Sequence, residues 1–309
     1  LRNESGSGRF AAMSILLLAG LLQAATPATP VPAPASPKVA PAPGDALPAD
    51  WVAIPDDELL IFTLRGGGTV TVRLAAPYAP VHVANIRRLA AARWWDAGAS
   101  VYRVQDNYVA QWGDATEKKP LPAGLVTSPP AEYDQPANAA TVAARLSRRD
   151  PYAEWAGYSR DGWPLAGSGA RQWVPHCYAM VGVARDLAPD TGSGAELYTV
   201  IGHSPRALDR NIAIVGRVID GIERLSVLPR GTGELGFYKT EGERLPIVSA
   251  RFASDLPAAE RPHFAYRRTD NARFRAWIAS RENRAGPFFT VPAGGADICA
   301  ALPPVRRLP

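Results

Sequence analysis

Proline constrains this chain more than any other residue type: 30 of its 309 positions are proline. Each one fixes φ and removes a backbone donor, so an all-helical bundle is excluded and many loops are required. The prolines are also unevenly spread. Residues 26–48 alone hold eight prolines and six alanines. Such a stretch has too little apolar surface to fold and reads as a semi-stiff spacer over 26–50. A ligand for a partner's aromatic groove is the sharper reading of the same residues, and a plain linker the simpler one.

Before the spacer, Arg2 and Arg9 precede the apolar run Ile15–Leu22, and Gln23-Ala24-Ala25 follows it. That charged, apolar, small-residue order is the pattern of an export signal over 1–25. The run is short for a span of about 20 residues, which makes a retained anchor the alternative. No cysteine follows it, so a lipid-anchored start is not expected. The expected location is outside the cytoplasm, in the periplasm.

From Glu58 the pattern becomes β-rich. Leu59–Leu64 and Thr69–Leu74 flank Gly66-Gly67-Gly68, the layout of a hairpin. Pro80 sits where a helix can begin, and Val83, Ile86, Leu89 and Ala90 recur at helical spacing. Further strands are expected around 101–104, 108–111, 178–184, 197–201, 212–218 and 246–252, with a short helix over 221–228. Residues 115–175 read as a loop-like insertion rich in Pro, Gly, Ala and charge. Many strands with few helices imply a mainly β fold, a closed barrel or sandwich with capping helices. With 47% hydrophobic residues the chain can bury a core of that kind.

The stretch 101–114, VYRVQDNYVAQWGD, resembles the signature of the cyclophilin-type peptidyl-prolyl isomerases, roughly F-H-R-x-x-x-x-F-x-x-Q-x-G-D. Arg103, Tyr108, Gln111, Gly113 and Asp114 fall on its marked positions. Residues 79–86, APVHVANI, resemble the family's AP-x-T-V-x-NF start of the first helix. Gly182–Arg185, Gly194–Tyr198, Leu208–Asn211 and Val215–Gly221 resemble later family segments in the same order. The resemblance covers about residues 57–252. It implies an eight-stranded antiparallel barrel closed by two helices, over 51–254, and an isomerase acting on X-Pro bonds.

That reaction needs little machinery. The isomers differ slightly in energy, but the barrier between them is about 18–20 kcal/mol. Rotation removes amide resonance and leaves a lone pair on a pyramidal nitrogen. No bond breaks, so no nucleophile, metal or cofactor is required. An apolar pocket for the ring and a donor toward the twisted amide are enough. The resemblance makes Arg103 that donor, with Gln111 either bonding the substrate backbone or orienting Arg103. It places Tyr108, Val109, Tyr198 and Leu208 around the proline ring, has Ala184 and Arg185 present backbone groups to the bound peptide, and sets Glu196 along it. The expected partners are proline-containing polypeptides, met by a monomer.

Several positions depart from the family. Glu196 stands where Gln is usual, Leu197 and Tyr198 replace Phe, Ala207 replaces a common Trp, and Ile212 a common His. These changes imply reduced turnover and weak cyclosporin binding. They also support an alternative, a peptide-binding chaperone or scaffold with little catalysis.

Other chemistry finds less support. His82, His176, His203 and His263 lack metal-ligand spacing such as HExxH. Gly192 and Gly194 lack the strand-to-helix context of a dinucleotide loop, and no GxSxG elbow occurs. The only cysteines, Cys177 and Cys299, form either one disulfide or two separate buried thiols; spacing does not decide. The formal charge of +5 resides in residues 251–309, with ten arginines and five acids. A uniformly basic nucleic-acid binder is therefore not expected. Within this extension, 255–309, Phe274, Trp277 and Ile278 mark an amphipathic helix that docks on the body. The sharper reading is an arginine-rich face for anionic envelope partners, which would make the chain an adaptor.

Overall fold

The β-branched runs at 59–64 and 69–74 form β2 (Leu59–Leu64) and β3 (Thr69–Leu74), after a short β1 (Trp51–Ala53). β2 and β3 pair antiparallel, with Leu60 opposite Val72 and Phe62 opposite Val70. Their turn needs positive φ at Gly66 (93°) and Gly67 (84°), conformations that L side chains rarely adopt. This computed structural model describes residues 44–309. The export signal read at 1–25 and the spacer up to residue 43 lie outside the described residues.

The barrel is completed by β4 (Ser100–Val104), β5 (Val109–Gly113), β11 (Met180–Val183), β12 (Leu197–Val200), β13 (Ile214–Asp220) and β14 (Leu245–Phe252). It closes in the order β11-β12-β5-β4-β14-β2-β3-β13, with every pairing antiparallel. Closure leaves no open sheet edge. Two helices cap it: α1 (Pro80–Ala91) and the short α2 (Glu223–Ser226). α1 buries Val83, Ile86, Leu89 and Ala90 against a core that includes Leu60, Phe62, Val72 and Val215. Trp95 and Trp112 meet Phe62 edge-on, at 5.4 and 5.5 Å between centroids.

The insertion corrects the sequence reading. Within 115–175 the chain forms β6 (Gln135–Pro136), β7 (Val142–Arg145), β8 (Trp155–Ser159), β9 (Pro164–Ser168) and β10 (Arg171–Trp173). These make a five-stranded sheet in the order β6-β10-β9-β8-β7. Its glycines serve close approach. A Cβ on Gly167 would lie 2.2 Å from the Trp155 ring, and one on Gly157 2.3 Å from the Ala144 carbonyl. Residues that signal a loop in sequence here let strands pack tightly.

The tail supplies β15 (Phe264–Arg267), α3 (Ala272–Glu282) and β16 (Val305–Arg307). β15 lies between β1 and β16, so both ends of the described chain share one small sheet. α3 begins at Asn271, whose side chain accepts from the Phe274 N–H. Its Phe274 and Ile278 pack with Tyr158, Trp163 and Leu165 of the insertion and with Val109, Met180 and Val200 of the barrel. The helix therefore docks on the body through its apolar face. The 26–50 spacer reading extends too far: Asp50 is 2% exposed, and its carboxylate accepts from Arg273.

Candidate active site

Strand pairing decides what meets at the mouth of the barrel. β4 lies beside β5, and β5 beside β12, so Arg103 stands opposite Gln111 and Gln111 opposite Tyr198. A one-residue register shift between Val101 and Arg103 turns the strand at that point. Arg103, Gln111, Tyr108, Val109, Ala184, Arg185, Glu196, Tyr198 and Leu208 all line one cleft of about 550 Å³.

Arg103 is half-buried and held on several sides. Its Nε donates to the Leu235 carbonyl (2.8 Å), Nη1 to Gln111 Oε1 (3.0 Å) and Nη2 to Gln105 Oε1 (2.5 Å). The guanidinium also lies over the rings of Phe237 (5.2 Å) and Tyr108 (5.7 Å). A guanidinium carries five N–H groups, so donors remain for a ligand in the cleft. Burial lowers its pKa, while guanidinium groups as a rule keep their charge in proteins.

Gln111 is committed at both ends of its amide. Oε1 accepts from Arg103, and Nε2 donates to the Tyr102 hydroxyl at 2.6 Å. The bond to Arg103 is the contact an orienting role requires, and Nε2 carries a second N–H beyond the one given to Tyr102. Tyr102 in turn donates to Glu196 Oε2 at 2.6 Å, while Glu196 Oε1 accepts the Asp114 N–H at 2.7 Å. Burial pushes the Glu196 carboxyl up to about 7, and the neighbouring Asp114 and Glu117 charges add to it. The bonds from Tyr102 and the Asp114 amide oppose that rise.

The floor of the cleft is apolar. Val109 and Tyr198 are nearly fully buried, and Ile212 and Leu208 stand beside them. Tyr198 replaces Phe, and its added hydroxyl finds a partner in His176 Nε2 at 2.9 Å. Ala207 is exposed. One expectation needs refinement. The Ala184 N–H is already taken by the Glu196 carbonyl (2.9 Å). The Arg185 side chain is tied to the Asn211 carbonyl through Nε and Nη2.

Sequence reasoning missed Tyr102, Leu235 and Phe237. Tyr102 occupies the position next to Arg103 where the family signature has His, and that difference was the available signal. Leu235 and Phe237 come from a glycine-rich segment without a motif, reached only through the fold. Cys177 and Cys299 are joined by a disulfide beside this region, and no free cysteine remains among the described residues.

A barrel of eight antiparallel strands, with an arginine and an apolar floor at one mouth, defines a class of peptide-binding isomerases. The family model for cyclophilin-type peptidyl-prolyl cis-trans isomerases matches residues 59–248, and the chain belongs to that family. Among solved structures, the chain is similar to the cyclophilin AquaCyp293 from Hirschia baltica. The two share 24% identity at a TM-score of 0.65, over 84% of this chain and 94% of that one. At that identity the likeness concerns the fold. A cyclophilin-type isomerase of Cryptosporidium parvum, solved in the presence of the dipeptide Ala-Pro, matches at 13% identity and a TM-score of 0.39. That match covers 63% of this chain and 98% of the other. No curated protein sequence matches. Family and fold make the chain a peptidyl-prolyl cis-trans isomerase.

Proposed function

We propose that the chain catalyses rotation about X-Pro bonds of exported proteins, with Arg103 stabilising the twisted amide. The observation that carries this reading is the clamped Arg103 guanidinium, which retains free donors at the wall of a cleft with an apolar floor. The floor formed by Val109, Tyr198 and Leu208 holds the proline ring. Arg103 bonds the prolyl carbonyl and faces the lone pair that develops on the nitrogen. Because the guanidinium is fixed beforehand, it needs no reorganisation at the transition state. Binding the twisted amide better than the planar one is the whole of the catalysis.

Export is supported by the Cys177–Cys299 disulfide, since such bonds persist in oxidising compartments. The arginine-rich tail is largely engaged within the fold. Arg251, Arg261, Arg273 and Arg307 pair with Asp96, Asp56, Asp50 and Asp220. That pairing favours a docking role for the tail over an envelope adaptor. The proposed clients are proline-containing polypeptides.

The test is cis/trans exchange of a proline peptide followed by NMR. Arg103→Ala is expected to lower kcat/KM by on the order of 100-fold, the typical cost of losing a transition-state donor. Unchanged turnover in that variant would remove Arg103 from the mechanism. Peptide binding without catalysis in the wild type would instead mark the chain as a chaperone.

A further inference from the structure

We infer that Glu196 is a positioning residue, which holds Arg103 in place through Tyr102 and Gln111 and releases it when protonated. This rests on the role given to Arg103 above.

The direction of each hydrogen bond is forced. A guanidinium only donates, so Gln111 must present Oε1 to Arg103 (3.0 Å). Its Nε2 therefore faces Tyr102 and donates to the hydroxyl oxygen (2.6 Å). The hydroxyl proton must then go to Glu196 Oε2 (2.6 Å). Glu196 Oε1 already accepts the Asp114 N–H (2.7 Å). With Glu196 a carboxylate, both oxygens accept and every link is satisfied without a competing proton.

The components have little room to rearrange. A Cβ on Gly113 would lie 1.9 Å from Glu196 Oε2, so the carboxylate is pressed against that glycine. The Tyr102 ring is stacked on Phe237, at 5.9 Å and 17°. A proton added to Glu196 turns it into a donor toward the Tyr102 oxygen. The tyrosine proton must then find another acceptor, and Gln111 Oε1 becomes one once the amide turns over. That flip aims Gln111 Nε2 at the guanidinium, donor against donor. Arg103 loses its link to Gln111 and keeps its bonds to Gln105 and Leu235 and its place over the Phe237 and Tyr108 rings.

The ionisable surroundings of Glu196 are accounted for. β4 presents Tyr102 and, through it, Arg103. The segment after β5 presents Asp114 and Glu117. Asp114 stays ionised, because N–H bonds from Lys119, Thr116 and Lys118 outweigh its burial. On β12, Tyr198 points to His176 instead. Burial places the Glu196 carboxyl near 7, so the proton arrives within the physiological range.

The experiment follows NMR exchange of a proline peptide from about pH 5.5 to 8.5, a window centred on that titration. Wild-type kcat/KM is expected to fall about 3- to 10-fold as pH drops through the Glu196 titration, mostly in kcat. Glu196→Gln mimics the protonated state. Its amide must give Oε1 to the Asp114 N–H and donate to Tyr102. It is expected to be flat with pH, at the wild type's low-pH level, and Tyr102→Phe to be flat as well. Every other group is unchanged in Glu196→Gln, so a slope that arises elsewhere would persist there. A Glu196→Gln variant that keeps the wild-type slope overturns the inference, as does a flat wild type. If Glu196→Gln does not fold, side-chain ¹⁵N shifts of Arg103 and Gln111 in the wild type decide. They should move with the kinetic midpoint, and shifts that stay fixed overturn the inference. An active Arg103→Ala would defeat the assignment of Arg103. An impaired Arg103→Ala beside an unaltered Glu196→Gln slope would defeat only the link to Glu196.

Discussion

Tyr198 shows how one atom binds the site to the rest of the molecule. Its hydroxyl meets His176 Nε2, while His176 Nδ1 and backbone N–H both reach Asp209 Oδ1 (3.1 and 2.8 Å). Burial alone would push the Asp209 carboxyl up, but the bonds from His176 and the Arg206 charge hold it below its usual value. Asp209 is thus an ionised acceptor. With Nδ1 donating to that carboxylate, Nε2 is left to accept from the tyrosine hydroxyl. Tyr198→Phe removes that donor and leaves a buried ring nitrogen unpaired. The expected cost is about 1–3 kcal/mol of stability, read from denaturant unfolding at unchanged m. Isomerase activity should persist, because the phenyl ring still fills the floor. A loss of activity without a loss of stability would show that the hydroxyl acts on substrate.

At the scale of elements, α1 is completed from outside itself. Ala79 offers no side-chain cap, and Pro80 has no N–H to satisfy. The Val81 and His82 amides instead donate to Glu132 of the insertion, at 2.9 and 3.0 Å. Glu132 Oε2 also meets His82 Nδ1 at 2.7 Å. A carboxylate there satisfies open N–H groups and complements the helix dipole. Glu132→Ala should cost about 1–2 kcal/mol, with Glu132→Gln between it and the wild type, measured by thermal unfolding. A neutral Glu132→Ala would mean that water caps the helix equally well. No part of this contact is legible in sequence, since it joins positions 50 residues apart. The barrel strands are legible because their β-branched runs are bounded by turn residues, and their order follows a known spacing. The insertion is not legible, because its glycines, such as Gly157 and Gly167, read as breaks until their neighbours are in place. The site divides the same way. Arg103 and Gln111 sit in a motif, whereas Tyr102 and Glu196 become partners only when β4, β5 and β12 lie side by side.

Across the whole molecule, the barrel, the insertion and the tail converge behind the cleft. Arg206 is 1% exposed and lies between Asp150 of the insertion and Asp209, which it meets through Nη2 (2.5 Å) and Nε (3.0 Å). Removing one member of such a set leaves uncompensated buried charge, so these parts are fixed relative to one another. Arg206 Nη1 also approaches Cys299 Sγ at 3.9 Å, and Cys299 is bonded to Cys177 just ahead of β11. The disulfide joins positions 122 residues apart. Closing so long a loop restricts the unfolded chain, worth about 2–5 kcal/mol. The double variant Cys177→Ser, Cys299→Ser should therefore unfold at lower denaturant by that amount. Arg103 is held by Gln111 on β5, Gln105 just after β4 and the Leu235 carbonyl, none of them a bridged residue, so kcat/KM below the unfolding transition should stay near wild type. Hydrogen exchange locates the effect: protection should fall first around 297–307 and in α3, where the tail is pinned to the body. Equal loss of protection in β4 and β5 would show instead that the tail and the catalytic barrel unfold as one unit.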